Sequence, residues 1–278
     1  MTIAGGRAAL RTRLREFCLF PFRLRGLIGR LAMREIASRY KGSVLGILWT
    51  VLGPVLSVAV YAVVFGMIFE SRVGTRLEGL AFVAWLFVGV STFAFFADVI
   101  GRAPHLVVGN VAYVKKVIFP LHAIPFVTML GGLPQYLLGM LIAAILLVST
   151  AGTAVLTGML VSLIVLLPMI LLIIGIAWAL SAVSVYIRDV AQLTSYALSL
   201  LIFLSPVFYS LDAVPVAFQG LVGWSPLAFP VEAIRAGFLD GSLPDLLHWL
   251  RYTAGAVVTY VLGFVCFSRL KRGFADFV

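Results

Sequence analysis

The sequence predicts an all-α integral membrane protein with six transmembrane helices. Of its 278 residues, 62% are hydrophobic and only 12% are charged, and long uncharged apolar runs recur along the chain. An average globular protein is about half apolar and about a quarter charged, whereas one membrane span needs about 20 apolar residues. We therefore divide the chain into a cytoplasmic arm, residues 1–43, and a six-span transmembrane domain, residues 44–278.

The arm is strongly basic, and nearly half of the Lys and Arg residues of the chain precede the first apolar run. Between residues 24 and 40, apolar side chains recur at helical spacing, and arginines occupy the opposite face. This pattern predicts an amphipathic helix that lies in the cytoplasmic membrane interface. A plain positively charged anchor is the alternative. Gly42 and Gly46 would allow a sharp turn from this helix into the first span.

The transmembrane domain consists of charge-free runs separated by polar residues. We predict spans at 44–69, at 80–97, two within 117–187 that separate at 149–153, and further spans at 190–210 and 252–268. Residues 211–250 are apolar but contain four prolines, which interrupt helices. We expect short, broken helices at the outer face there, before the last span.

Six spans place both termini on the same side of the membrane. If that side is the cytoplasm, every Lys and Arg residue lies inside except Arg72, Arg76, Arg235 and Arg251. This distribution agrees with the rule that cytoplasmic loops are rich in Lys and Arg. The sequence therefore predicts a multi-pass protein with cytoplasmic N- and C-termini.

No catalytic, metal or nucleotide site is evident. None of the four lysines follows a glycine, so the chain has no P-loop. The three histidines, His105, His122 and His248, are far apart and lack metal-ligand spacing. Asp98 lies near the inner end of its predicted span, where we expect a local role. The centres of the spans contain no carboxylate or lysine, which argues against an ion-driven carrier.

Two predicted spans carry a face that mixes polar and aromatic side chains. Such residues gain nothing by facing lipid, so this face points either to another helix or to a transport pathway. Both interpretations are open from the residues alone. The two stripes are Trp49, Gly53, Ser57, Tyr61 and Phe65 in the first span, and Gln192, Ser195, Tyr196, Ser199 and Phe203 in the fifth.

Five segments carry a resemblance to a known family. They are "REIASRYKGSVLGILWTVLGPV", "NVAYVKKVIFPLHAIP", "VYIRDV", "SPVFYS" and the basic tail "RLKRGFADF". With these segments the chain resembles the transmembrane permease subunit of ABC polysaccharide exporters, which move O-antigen, teichoic acid or capsule chains. The chain has Ser225-Pro226-Leu227 where the family often has Asn-Pro-Leu, a difference that affects the local cap of an outer helix.

The resemblance implies a homodimer in the bacterial inner membrane that exports a lipid-linked polysaccharide, with O-antigen as the first expectation. Each subunit would dock a separate ABC ATPase that binds ATP and Mg, so this chain would hold no cofactor and would bind lipids but no nucleic acid. The implied ATPase contacts are Arg34, Arg39, Lys41, Asn110, Tyr113, Lys115, Lys116, Tyr186, Arg188 and Asp189. The implied substrate pathway consists of Trp49, Ser57, Tyr61, Phe65, Gln192, Tyr196, Ser199 and Phe203.

In this interpretation the basic helix contacts the ATPase, and the glycine turn passes its movement to the first span. Three alternatives stay open: a permease for capsule or teichoic acid, a permease for a small lipid or drug, and, among enzymes, a polyprenyl-linked sugar transferase.

Overall fold

A computed structural model describes residues 24–41, 43–64, 77, 79–111 and 120–277. Within these ranges the chain forms helices joined by turns, and no strand is present. The helices of eight or more residues are α1 Arg25–Tyr40, α2 Trp49–Val63, α3 Gly79–Arg102, α4 Ile124–Leu147, α5 Ala154–Val183, α6 Val190–Leu204, α7 Val216–Gly223, α8 Ala228–Asp240 and α9 Leu246–Leu270. Two helices of four residues each, His105–Val108 and Phe274–Phe277, lie between and after these.

The chain is a multi-pass membrane protein. Four helical stretches are long and apolar enough to cross a bilayer: Gly79–Arg102, Leu121–Leu147, Ala154–Val183 and Leu246–Gly273. They correspond to four of the six predicted spans. The other two predicted spans contain α2 and α6, which are apolar but only 15 residues long. At 1.5 Å per residue each covers about 22 Å of a hydrocarbon layer about 30 Å thick.

The fifth predicted span, 190–210, was too long, because α6 ends at Leu204. Ser205 has extended backbone angles, φ −109° and ψ 150°, and Pro206 follows it. The proline ring clashes with a helical conformation of the preceding residue, so the helix ends there. Residues 205–210 then turn away from the helix axis towards α8.

The last predicted span, 252–268, was too short, because α9 begins at Leu246 and contains 25 residues. The Asp245 side chain accepts a hydrogen bond of 3.1 Å from the backbone amide of His248 and so caps the helix. The same hydrogen bond holds the pKa of Asp245 below its usual range. The prolines upstream divide residues 211–245 into α7 and α8, as the sequence predicted.

Glycines form two of the turns between helices. Gly46 has φ +51° and lies between α1 and α2, and Gly152 has φ +54° and lies between α4 and α5. Residues that carry a Cβ atom rarely adopt this left-handed backbone conformation. The turn at Gly152 confirms the predicted separation of two helices at 149–153. The other glycine of the predicted turn, Gly42, lies outside the described residues.

The core is built around α5, which packs along α8 and α9 and contacts α4 on another side. Helices α5 and α9 cross in close contact, since a Cβ atom added to Gly263 would collide with the backbone of Gly175. Small residues at such crossings let two helix backbones touch, as is typical of membrane proteins. Helix α3 packs against α4, α2 and α6 lie against α3, and α1 lies on α4.

The bundle has two ends, which we name the α1 end and the α7 end. At the α1 end, the hydroxyl of Tyr186 donates to the carbonyl of Leu270 at 2.7 Å, and the hydroxyl of Ser184 donates to the carbonyl of Pro104 at 2.5 Å. These bonds hold the chain after α5 against the ends of α9 and α3. The α7 end contains the turn at Gly152, the segment after α6, α7 and α8.

Candidate functional site

Four charged side chains join α1 to α3 at the α1 end. Arg39 donates to Asp98 at 3.0 Å, and Arg102 lies 2.8 Å from both Glu35 and Asp98. Arg39 Nε is also 3.7 Å from Glu35 Oε1. Two cations and two anions therefore balance one another in a partly buried position. We call these residues the four-charge cluster. Asp98 thus has a local role, as its place near the end of the span predicted.

Two glycines of α4 make room for this cluster. A Cβ atom at Gly131 would lie 2.9 Å from Glu35 Cγ and 3.1 Å from Arg39 Nη2. A Cβ atom at Gly132 would lie 2.9 Å from Asp98 Oδ2. Because these positions carry no side chain, α1 and its ion pairs rest directly on the surface of α4. Helix α1 is therefore attached to α3 by charge and to α4 by close packing.

A groove with a volume of about 500 Å³ opens beside the cluster. Its apolar wall includes Leu31 and Val127. Its polar wall includes Arg34, Ser38, His105 and Asn110, together with Glu35 and Arg102, which are paired within the cluster. Arg34 is exposed, and no acidic partner for it occurs within the part of the chain that the structure describes. An apolar wall next to an unpaired arginine suits an amphipathic protein segment with an acidic side chain.

The predicted ATPase contacts fall into several environments. Arg34 and Asn110 line the groove, whereas Arg39 belongs to the four-charge cluster, with only 12% of its side chain exposed. Lys41, Arg188 and Asp189 are exposed at the same end of the bundle. Tyr186 is half-buried, and its ring contacts Phe274 and Phe277 of the C-terminal tail. Tyr113, Lys115 and Lys116 lie outside the described residues.

Of the predicted pathway residues that the structure describes, all but Tyr61, which is half-buried against the core, lie on exposed faces of α2 and α6. These two helices bury almost nothing within the subunit, since only Val58 of α2 and Thr194 of α6 are buried. Tyr196 and Phe203 are 61% and 66% exposed. The other exposed members are Trp49, Ser57, Gln192 and Ser199; Phe65 lies outside the described residues.

The faces of α2 and α6 meet through aromatic rings. The Tyr61 ring of α2 lies 4.7 Å from the ring of Phe208, which in turn lies 6.2 Å from the ring of Phe203. We call Tyr61, Phe208 and Phe203 the aromatic row. Phe208 lies four residues after the end of α6, is buried at 4% exposure, and was not among the predicted pathway residues. Its place in "SPVFYS", a segment quoted for its family resemblance, was the available signal.

The exposed face of α9 differs in chemistry from that of α6. It carries aliphatic side chains, among them Val258, Val261 and Leu262, which are the residues expected against lipid tails. On α6 the exposed face carries the Gln192 amide and the hydroxyls of Ser195 and Ser199 in addition to exposed leucines, among them Leu193 and Leu200. Each of these hydroxyls donates to the carbonyl four residues earlier. Helix α6 can therefore face a partly polar environment better than α9 can.

Metal-binding side chains do not converge in the described ranges, where no group of three His, Cys, Asp or Glu residues could hold an ion. Two of the three histidines have hydrogen-bond partners elsewhere: His122 lies 3.1 Å from the Ser268 hydroxyl, and His248 lies 2.6 Å from Asp245.

A family model described as "ABC-2 type transporter" matches residues 26–239 of the chain. The chain belongs to the ABC-2 type transporter family. The match begins in α1 and ends in α8, so it includes the four-charge cluster and the exposed faces of α2 and α6. Members of this family are transporter subunits, which favours transport over the sugar transferase alternative.

The chain is also similar to individual transport proteins. The chain is 24% identical over 244 residues to the O-antigen export system permease protein RfbA of Klebsiella pneumoniae, covering 87% of this chain and 91% of that protein. It is 25% identical over 257 residues to the protein of the same name from Myxococcus xanthus, with 92% and 96% covered. It is 26% identical over 243 residues to the inner membrane transport permease YadH of Escherichia coli (strain K12), with 81% and 88% covered.

Proposed function

We propose that the chain is the membrane-spanning permease subunit of an ATP-driven exporter that moves a lipid-linked polysaccharide of the O-antigen class across the bacterial inner membrane. The similarity to O-antigen export permeases over nearly their full length is the observation that carries this proposal. The polar and aromatic faces of α2 and α6 support it, because sugars offer both hydroxyls for hydrogen bonding and C–H faces for aromatic stacking.

The pathway would form between two copies of the chain. Within one subunit α2 and α6 pack mainly against α3 and bury only Val58 and Thr194, so most of their surface is available to a second copy. Pairing two such faces would remove their polar side chains from lipid and create a channel lined by both copies. The aliphatic face of α9 would remain in contact with lipid.

The partner ATPase, which would bind ATP and Mg, would dock at the α1 end. The groove beside Arg34 and Asn110 offers both an apolar wall and an unpaired cation for an acidic segment of that partner. Because the four-charge cluster ties α1 to α3, movement of α1 would reach α3 and α4 directly. The turn at Gly46 would be a second route, into α2.

The α1 end would face the cytoplasm, with both termini on that side. Arg102, Arg188, Arg269 and Arg272 belong to this end of the bundle, as expected for a cytoplasmic surface. The α7 end, with Asp212, Asp240 and Asp245, would then face the periplasm.

The decisive experiment compares where the glycan accumulates. In cells whose copy of this gene is deleted, we expect lipid-linked glycan to build up on the cytoplasmic side and surface glycan to disappear, with both restored by the wild-type gene. The second candidate is export of a cargo other than a polysaccharide, because the chain is also similar to YadH, which is named as a transport permease without a stated cargo. Unchanged surface glycan in the deleted strain would reject the polysaccharide proposal in favour of this candidate.

A further inference from the structure

Arg235 is the only charged residue that is buried in the described part of the chain, and it is 2% exposed. It lies in α8, at the α7 end of the bundle. Burying a charged group without partners is very costly, so its surroundings must compensate the charge. They do so mainly through backbone carbonyls, because the nearest carboxylate oxygen, Glu232 Oε1, is 3.8 Å away.

The guanidinium of Arg235 bonds two separate parts of the chain. Its Nε donates to the carbonyl of Trp85 in α3 at 3.2 Å. Its Nη1 donates to the carbonyl of Pro206 at 2.6 Å, and its Nη2 to the carbonyl of Val207 at 2.7 Å. The guanidinium carbon also lies 3.4 Å from the centre of the Trp85 ring. We call these contacts the Arg235 network.

Only arginine has the shape that this network uses. The carbonyls of Pro206 and Val207 follow the end of α6 and have no helical partners there. A planar guanidinium presents five donors in a fixed fork and can reach carbonyls in several directions while it stacks on an aromatic ring. A lysine ammonium has all its donors on one nitrogen atom, so it cannot bond the same set of separated carbonyls.

Gly89 of α3 leaves the space that the Arg235 network occupies. A Cβ atom at this position would lie 2.5 Å from Arg235 Nη2 and 2.6 Å from the carbonyl oxygen of Val207. The backbones of α3 and of the segment after α6 therefore lie in direct contact, and the guanidinium lies beside this contact. A single methyl group at Gly89 would push this segment away without removing Arg235.

The segment that Arg235 holds carries the middle ring of the aromatic row. Phe208 directly follows Val207, and its ring contacts those of Tyr61 and Phe203. The hydroxyl of Tyr209 also donates to the carbonyl of Phe203 at 2.7 Å. The backbone that Arg235 holds is thus the backbone from which the aromatic contact between α2 and α6 extends.

We infer that Arg235 is a positioning residue for export, which sets the place of the aromatic row at the α7 end of the pathway by holding residues 206–209 against α3. This inference rests on the proposed function, since it assigns a role in transport to the faces of α2 and α6.

The test uses the full transporter with its ATPase and three variants: Arg235→Lys, Arg235→Gln and Gly89→Ala. Two matched controls are Arg251→Gln, an exposed arginine of α9, and Gly220→Ala, at a glycine with open space around it. Export is measured per folded transporter, taken from the monodisperse fraction after detergent extraction. Loss of abundance alone, which any structural role would cause, is thereby separated from loss of function.

The position of the row is measured independently of transport. In a chain whose native cysteines are replaced by serine, Tyr61→Cys and Phe203→Cys, which flank the buried Phe208 ring, are linked with a short bismaleimide in membranes. A protease site in the turn at 149–153 distinguishes linked from unlinked halves within one subunit. We expect all three variants to lose most of this cross-link and to export severalfold more slowly per folded transporter, with both controls at the parent level.

Three results would overturn the inference. The cross-link and the export rate could stay at the parent level in the variants; the cross-link could fall while export stays unchanged; or none of the three variants could be recovered folded, which would make the network a requirement for folding only. A separate measurement would show that the proposed pathway itself is wrong. In that case bulky groups on the face of α6 would leave export unchanged, whatever the result of the cross-linking.

Discussion

Arg39 of α1 and Asp98 of α3 form an ion pair of 3.0 Å although 59 positions separate them in the chain. Their side chains are 12% and 24% exposed, so water screens the pair only in part. Together with Glu35 and Arg102, this pair attaches the basic arm to a central helix. In the proposed function this connection would couple α1 directly to the bundle, in addition to the glycine turn that the sequence indicated.

Breaking this pair should destabilise the protein. We expect Asp98→Asn to lower the free energy of unfolding by about 1–3 kcal/mol, between the values for exposed and for buried pairs. Arg39→Gln should cost a similar amount, and the double variant less than the sum, because both lose the same interaction. Thermal unfolding of the purified protein measures this, with the exposed Arg188→Gln as control. Strictly additive losses would show that the pair contributes nothing.

The crossing of α5 and α9 should tolerate no side chain at Gly263. We expect Gly263→Ala to cost about 1–3 kcal/mol, because the added methyl group must force two backbones apart. Gly255 lies two turns earlier on α9 with nothing within 4 Å of an added Cβ, so Gly255→Ala should be neutral or stabilising by up to about 1 kcal/mol. The temperature at which each variant loses monodispersity is the measurement. Equal melting of the two variants would contradict the packing argument.

The orientation is open to cysteine labelling in intact cells. In a chain whose native cysteines are replaced, Asp240→Cys at the α7 end should react with a membrane-impermeant maleimide added outside. Arg188→Cys at the α1 end should react only after the cells are opened. Both positions are exposed, so a difference reports sidedness rather than burial. Reaction of position 188 from outside would reverse the proposed orientation.

The pathway is tested by blocking it. Tyr196 of α6 and Leu262 of α9 are exposed to nearly the same extent, 61% and 63%. A bulky maleimide on Tyr196→Cys should stop glycan export, whereas the same group on Leu262→Cys should face lipid and leave export unchanged. Export is followed as surface glycan per folded transporter. Normal export with position 196 fully modified would place the channel elsewhere.

Removal of a single pathway ring should have a modest effect. Stacking of a nucleic-acid base on an aromatic side chain contributes about 1–3 kcal/mol, and sugar stacking should contribute less because a sugar has no second π-face. We therefore expect Tyr196→Ala to slow export without abolishing it. Complete loss of export by this variant at normal abundance would mean that Tyr196 does more than stack.

The docking groove is tested by reversing charge. We expect Arg34→Glu to reduce the amount of ATPase that co-purifies with the chain, because it places an anion where the partner would present one. Arg251→Glu changes the same charge at an exposed position of α9 and should leave the complex intact. Lys115→Glu with Lys116→Glu should weaken the complex as well, if the predicted contacts in that loop hold. An unchanged yield of complex with Arg34→Glu would exclude this groove as the docking site.

Much of the secondary structure follows from local rules. Apolar runs long enough to span, the turn near Gly152 and the interrupted segment before α9 were predictable, since each depends on neighbouring residues along the chain. The errors in the predicted bounds of α6 and α9 also arose from neighbouring residues along the chain. Pro206 excludes a helical conformation at the residue before it, which ends α6 early, and the Asp245 side chain caps α9, which starts it six residues before the predicted position. Both signals were present in the sequence, but the hydrophobic runs obscured them.

The sequence by itself thus determined the class of the protein, the order of its apolar helices and the polar stripe on α6, because hydrophobicity and helical period are properties of contiguous residues. Only the tertiary structure decided which charges meet. Arg39 pairs with Asp98, and Arg235 donates a hydrogen bond to the carbonyl of Trp85, which is 150 positions away in the chain. Such pairs depend on how helices cross, and helix crossings depend on where glycines such as Gly89, Gly131 and Gly263 allow backbones to touch. That close approach is set jointly by distant segments, so no single stretch of the chain encodes it.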